Sequence, residues 1–209
     1  MSDNYLSYLL SLETQGIKLG LERTAQILSS CGNPQKNIKS IQVVGTNGKG
    51  STSAMISKIL ISSGYKVGLY TSPHLNKINE RIRINGRAIN NKDFELFIDQ
   101  YKHDINRFSC SFFEVMTAIA LWFFNKNKVD VAILETGLGG RLDSVSYCKP
   151  DLIVFTHIAL DHQHILGGTI EDIAQEKAGA IKHRTHCISI RQKSSVERIL
   201  NKQAALFNI

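Results

Sequence analysis

The segment GTNGKGS at residues 45–51 follows the apolar run IQVV (41–44) and leads into helix-forming sequence. Three glycines in seven residues strip side chains from the backbone, so successive N–H groups can converge on an anion. A helix starting at such a loop adds partial positive charge at its N-terminus. Lys49 supplies a point charge, and a hydroxyl at Ser51 or Thr52 is placed to reach a magnesium ion. These residues predict a cradle for the phosphates of a nucleoside triphosphate. The common pattern G-x-x-x-x-G-K-[ST] would need glycine at position 43, where the chain has Val43, and a hydroxyl residue where it has Gly50. The segment is therefore a shortened variant. A plain glycine turn between strand and helix is the alternative, and it gives no reason for Lys49 or Ser51.

A second constellation lies in VDVAILETGLGGRLD (129–143). Glu135 leaves an apolar strand, where a carboxylate beside a phosphate loop can hold Mg²⁺ directly or through water. The alternative is a hydrogen-bonded strand-end acid. Gly137, Gly139 and Gly140 again bare the backbone, while Arg141 and Asp143 are placed to contact substrate or to pair with each other. The next strand ends in THIALDHQHILG (156–167), which brings Asp161 and His162 to the same rim. Taken singly, His162 reads more readily as a satisfied loop histidine, because histidine is an uncommon magnesium ligand. Asn127-Lys128-Val129-Asp130 spells the guanine-reading N-K-x-D, yet it precedes its strand, whereas ligands of an open parallel sheet gather beyond the carboxyl ends. Position rejects that match.

These groups need a frame. IQVV (41–44), KVGLY (66–70), VDVAILE (129–135), DLIVFT (151–156) and HCISI (186–190) read as strands, with helices near 50–63, 92–106, 111–126, 169–180 and 194–207. Strands apolar on both faces and separated by helices predict an α/β fold, a mostly parallel sheet with helices on both faces. RIRINGRAI (81–89) is the exception, a hairpin turning at Asn85-Gly86. With 209 residues, 43% of them hydrophobic and 21% charged, the chain reads as one soluble domain, at most two. The net charge of +7 comes from 25 Lys and Arg residues spread without a block, so no nucleic-acid partner is expected. Four cysteines without a C-x-x-C pair indicate neither a zinc site nor a disulfide framework and fit the cytoplasm. The opening residues lack a signal-peptide pattern, and no apolar run is long enough for a bilayer, so no membrane association is expected.

Taken together, IKLGLER (17–23), GTNGKGS (45–51), YTSPHL (70–75), ERIRING (80–86), FFE (112–114), ETGLGGRLD (135–143), DH (161–162), LGGTIEDIA (166–174) and EKAGAIK (176–182) resemble, in order, the folylpolyglutamate synthase and dihydrofolate synthase family. That family is related to the Mur ligases, whose central domain is of the P-loop type. The resemblance implies an ATP-dependent ligase that joins L-glutamate to dihydropteroate or a reduced folate through an acyl phosphate. It implies nucleotide binding by Asn47, Gly48, Lys49, Gly50 and Ser51, and Mg²⁺ binding by Ser72, Glu135 and His162. Lys177 matches a lysine that is carbamylated in the family, and with Lys49 and His162 it makes up the expected catalytic set. Leu19, Gly20, Leu21, Phe113, Glu114 and Arg141 are the expected substrate-binding residues. Phe113 could stack on a flat heterocycle, a core phenylalanine being the equal alternative.

Three departures accompany the resemblance. Leu142-Asp143-Ser144-Val145-Ser146 stands where the family commonly reads LDATN, which takes away the asparagine and its polar contact. EKAGA replaces the commoner EKAGI, a loss of core volume. The chain is also shorter than the family's, so residues 1–209 are expected to form a single, incomplete ATP-binding domain without the C-terminal domain. Three readings follow: an active ligase whose other half is supplied separately, a catalytically idle nucleotide-binding fragment, or a Mur-type ligase of a cell-wall precursor. The family expectation is a monomer.

Overall fold

The computed structural model describes residues 4–14, 16, 20–182 and 185–209. In chain order the elements are α1 (Asn4–Glu13), α2 (Glu22–Ser30), β1 (Lys39–Val44), α3 (Lys49–Ser62), β2 (Val67–Tyr70), β3 (Ile82–Ile84) and β4 (Arg87–Ala88). There follow α4 (Asn91–Arg107), α5 (Phe112–Lys126), β5 (Val131–Glu135), β6 (Leu152–Phe155), α6 (Gln163–Leu166), α7 (Ile170–Ala178), β7 (His186–Ser189) and α8 (Ser194–Ala205). The strands form one sheet in the order β4-β3-β2-β5-β1-β6-β7. The pairs β2–β5, β5–β1, β1–β6 and β6–β7 are parallel; β3 runs antiparallel to β2 and turns into β4.

Alternation along the strands assigns the faces. On β5, Ala132 and Leu134 join the large core with α1, α2, α4 and α5, whereas Ile133 joins Val43, Val67 and Leu69 beneath α3. On β6, Ile153 and Phe155 pack with Ile173 and Ala174 of α7 and Val196 and Leu200 of α8. Helices thus cover both faces. α5, FFEVMTAIALWFFNK, is apolar almost all round and is sandwiched in the largest core. It starts at a capping box in which Ser111 Oγ accepts from the Glu114 N–H and the Glu114 carboxylate accepts from the Ser111 N–H.

Two helices precede the first strand where the sequence was read without elements. Tyr5, Leu9 and Leu12 of α1 recur on one helical face and are buried, with Tyr5 stacked on Phe94 of α4 at 5.7 Å. The strand expected from Val129 begins at Val131. Asp130 Oδ2 instead accepts a 2.7 Å hydrogen bond from the Lys66 N–H, so the N-K-x-D letters brace the amino ends of β2 and β5, away from the glycine loop.

Candidate functional site

Gly48 is the N-cap of α3 and has φ 82°, a left-handed conformation that a side chain would strain. This turn lets α3 begin at Lys49 directly behind the loop, so the unpaired N–H groups of its first turn face the loop's concavity. The end of β6 braces the loop: the N–H groups of Thr46 and Asn47 donate to the His157 carbonyl at 2.8 and 3.1 Å. Lys49 Nζ donates to the Thr46 carbonyl at 3.1 Å, which curls its charge back over the loop. Ser51 lies exposed in the first turn of α3.

Insertion of β5 between β2 and β1 puts Glu135 against this loop. A Cβ built on Gly50 would lie 3.6 and 3.7 Å from the two Glu135 carboxylate oxygens. Glu135 is only 4% exposed and accepts a 3.2 Å hydrogen bond from the Ser72 N–H at the end of β2. Burial raises its carboxyl above the usual value, opposed by the Ser72 N–H, Lys49 and Arg81. Ser72 and Glu135 are therefore neighbours, and His162, the N-cap of α6 with its side chain 3.6 Å from Asp161, shares a cavity wall with Ser72.

Lys177, on the inner face of α7, is 4% exposed and donates to the Gly45 carbonyl at 2.9 Å. Burial, then the like charge of Lys49, lowers its amine from 10.5 to about 8, against the pull of Asp161 and Asp143.

Beside these groups opens a cavity of about 370 Å³, lined by Gly20, Ser72, Arg81, Phe113, Glu114, Asp143 and Ser144 among others. Gly137 admits the Phe113 ring, since a Cβ there would lie 2.5 Å from it. Asp143 is buried and accepts from the N–H groups of Gly137, Leu138 and Val145 at 3.0, 2.9 and 3.0 Å. Burial nevertheless raises its carboxyl to about 6. Glu114 forms a 3.0 Å ion pair with Arg23 of α2.

The remaining expected residues fall elsewhere. Leu19 lies outside the described residues. Leu21 is the N-cap of α2 and is not among the cavity-lining residues. Arg141 points away from the cavity: its guanidinium makes 3.1 and 2.7 Å bonds to Glu176, and its stem packs under Gly179 of the loop after α7. It does not pair with Asp143, whose oxygens are taken by backbone. Ser146, where an asparagine is usual, accepts from Gln42 Nε2 at 2.7 Å and donates to the Gly140 carbonyl at 2.6 Å, so a polar contact persists there. Arg81, which sequence reasoning passed over, is 6% exposed, bonds His74 Nδ1 at 2.9 Å and lies over the Phe112 ring at the cavity wall. Its place at the head of the hairpin RIRINGRAI, directly before the strand residue Ile82, was the one signal the sequence offered. Among the described residues, no helix is long and apolar enough to cross a membrane.

Residues 43–206 match the Mur ligase middle domain. The chain is 41% identical over 196 residues to the dihydrofolate synthase/folylpolyglutamate synthase of Bacillus subtilis, covering 90% of this chain and 46% of that protein. The folylpolyglutamate synthase of Thermotoga maritima superposes with a TM-score of 0.88 at 40% identity, covering 98% of this chain and 48% of that one. An Escherichia coli FolC structure in complex with DHPP and ADP gives 0.89 at 36% identity, covering 97% and 49%. The chain spans about half the length of the relatives it matches.

Proposed function

Since the chain belongs to the Mur ligase middle domain family, we propose that it is the ATP-binding portion of a ligase joining L-glutamate to dihydropteroate or a reduced folate. The observation that carries this reading is the convergence of three parts at the carboxyl edge of one sheet. They are a lysine-bearing glycine loop, a buried carboxylate against it, and an adjoining cavity walled by an aromatic ring. The relatives named as dihydrofolate synthase/folylpolyglutamate synthase support the substrate class.

In this reading the backbone N–H groups of Gly48 and Gly50, the Asn47 side chain and the Ser51 hydroxyl hold the triphosphate, and Lys49 neutralises its charge. The substrate carboxylate, positioned from the cavity by Phe113 and its surroundings, attacks the γ-phosphorus. The bond to ADP breaks and an acyl phosphate forms. The amine of glutamate then attacks the acyl carbon, loses a proton, and phosphate leaves. Phosphorylation turns a poor electrophile into one with a good leaving group. Ser72, Glu135 and His162 would hold Mg²⁺; the buried Glu135 carboxylate against the loop fits a hard cation, which would supply charge neutralisation between two anions. The lowered amine of Lys177 makes its neutral form accessible near pH 8, and a neutral amine is what reacts with CO₂ to give a carbamate and a proton. The four cysteines are free, in keeping with a reducing cytoplasm. The length of the relatives supports a further half that completes the enzyme.

Phosphate release from ATP by the purified chain, with Mg²⁺, dihydropteroate and glutamate, tests this reading against a Lys49→Ala control. Substrate-dependent release that the control loses would establish the chemistry in this chain. ATP binding without release would leave it the nucleotide-binding half. Absence of ATP binding by calorimetry would sink the proposal.

A further inference from the structure

α8 has two apolar sides. Val196 and Leu200 are buried in the core with β6 and α7. Ile199, Gln203 and Leu206 recur about one turn apart on another side and line a groove of about 830 Å³ between α8 and the end of α7. Ile181, from the loop after α7, and Phe207 extend its apolar floor. Gln203 Nε2 donates to the Ile181 carbonyl at 3.3 Å, which ties the two walls together.

The rim of this groove is basic. Arg141 and Lys182 reach it from the loops after β5 and α7, and the exposed Arg198 and Lys202 stand one turn apart on α8. Glu176 is the one acid among the described residues that line it, and Arg141 already holds it at 2.7 Å. Lys182 Nζ donates to the Arg141 carbonyl at 2.8 Å, and among the described residues none of Lys182, Arg198 and Lys202 is in an ion pair. The nearby Glu197 instead accepts from the Gln192 N–H at 2.9 Å. Burial, and then the charge of Arg141, lowers the Lys182 amine, so an anion brought to it would be favoured. Cations that served solubility alone would need no apolar strip between them.

We propose that this groove docks an acidic amphipathic helix of a partner protein, with its apolar side chains on Ile199 and Leu206 and its carboxylates on Lys182, Arg198 and Lys202. Charge complementarity selects that occupant. A helix laid in a groove presents apolar anchors at i, i+4 and i+7 with charges beside them, which matches an apolar strip flanked by unpaired cations. A second copy of this chain would bring a net charge of +7 to a basic rim, and a small anion would leave the apolar strip uncovered. The inference stands apart from the ligase reading, because none of these residues lies in the glycine loop or against Glu135.

Calorimetry of the purified chain with two synthetic helical peptides tests it. One carries leucines at helical spacing flanked by glutamates; the other has lysine in place of each glutamate. The glutamate peptide should bind, and the lysine peptide should not. Arg198→Glu with Lys202→Glu should weaken the glutamate peptide roughly 10-fold, and Leu206→Ser should weaken it as well, with melting temperatures showing that both variants fold. No binding of the glutamate peptide, equal binding of the lysine peptide, or indifference to the double variant would overturn the inference. Displacement of the peptide by tripolyphosphate, with Leu206→Ser silent, would make the groove a small-anion site and overturn it. Self-association abolished by the double variant would assign the groove to a second copy, with the same result.

Discussion

Lys177 Nζ donates a 2.9 Å hydrogen bond to the carbonyl oxygen of Gly45, tying α7 to the start of the glycine loop across 132 positions of sequence. The lysine is thereby held, almost fully buried, where a helix on one side of the sheet's edge meets the glycine loop. This location lowers its amine to about 8, with burial the first cause and Lys49 the second.

The sign of the consequence is fixed by linkage. Between about 8, the folded value, and 10.5, the ordinary one, the unfolded chain holds more protons at this site than the folded chain. Stability from this group therefore rises with pH across that window and carries its penalty below it. Lys177→Met should remove that rise. Urea unfolding of both proteins from pH 7 to 10.5 checks this, and parallel profiles would refute it.

Asp143 behaves oppositely in sign. Its carboxyl is raised from 3.8 to about 6, so the folded state holds the proton longer and this group's contribution to stability falls as pH rises from 3.8 to 6. Asp143→Asn should remove this fall, and urea unfolding of both proteins from pH 3.8 to 6 checks it, parallel profiles refuting it.

Gly137→Ala places a methyl group 2.5 Å from the Phe113 ring. Overpacking of this kind costs about 1–3 kcal/mol. The expected result is a lower melting temperature and weaker pteroate binding, with stability regained when Phe113→Leu is added. A single variant as stable as the parent would show that the ring moves aside freely.

The edge strand β7 exposes Ile188 at 57%, and Ile190 just after it is 50% exposed. An open edge with apolar side chains invites pairing with another chain. The 209-residue chain should self-associate as its concentration rises, and the double substitution Ile188→Lys, Ile190→Lys should shift light scattering toward the single-chain mass. A wild type that stays at that mass at high concentration would count against this.

Much of the frame was legible because its signals are local. The short apolar runs, apolar on both faces, and the longer helical patterns between them marked five strands and five helices to within about two residues, and Asn85-Gly86 marked the hairpin. α1 and α2 escaped because their short apolar stripes, unlike α5, stand out only once their partners in the core are known. Arg141 was legible as a cation but not as a partner of Glu176, since a carboxylate 35 residues away is one candidate among many in a linear chain.

The residue types of the candidate site were determined by sequence: glycines that bare the backbone, Lys49 behind them, and Glu135 leaving a buried strand. Tertiary structure decided their company. Only the placement of β5 between β2 and β1 sets the Glu135 carboxylate beside Gly50 and Ser72, and only the packing of α7 brings Lys177 to Gly45. The physical reason is that periodicity tells which face of an element is buried, whereas the neighbour it meets depends on strand order and on contacts closed over a hundred residues.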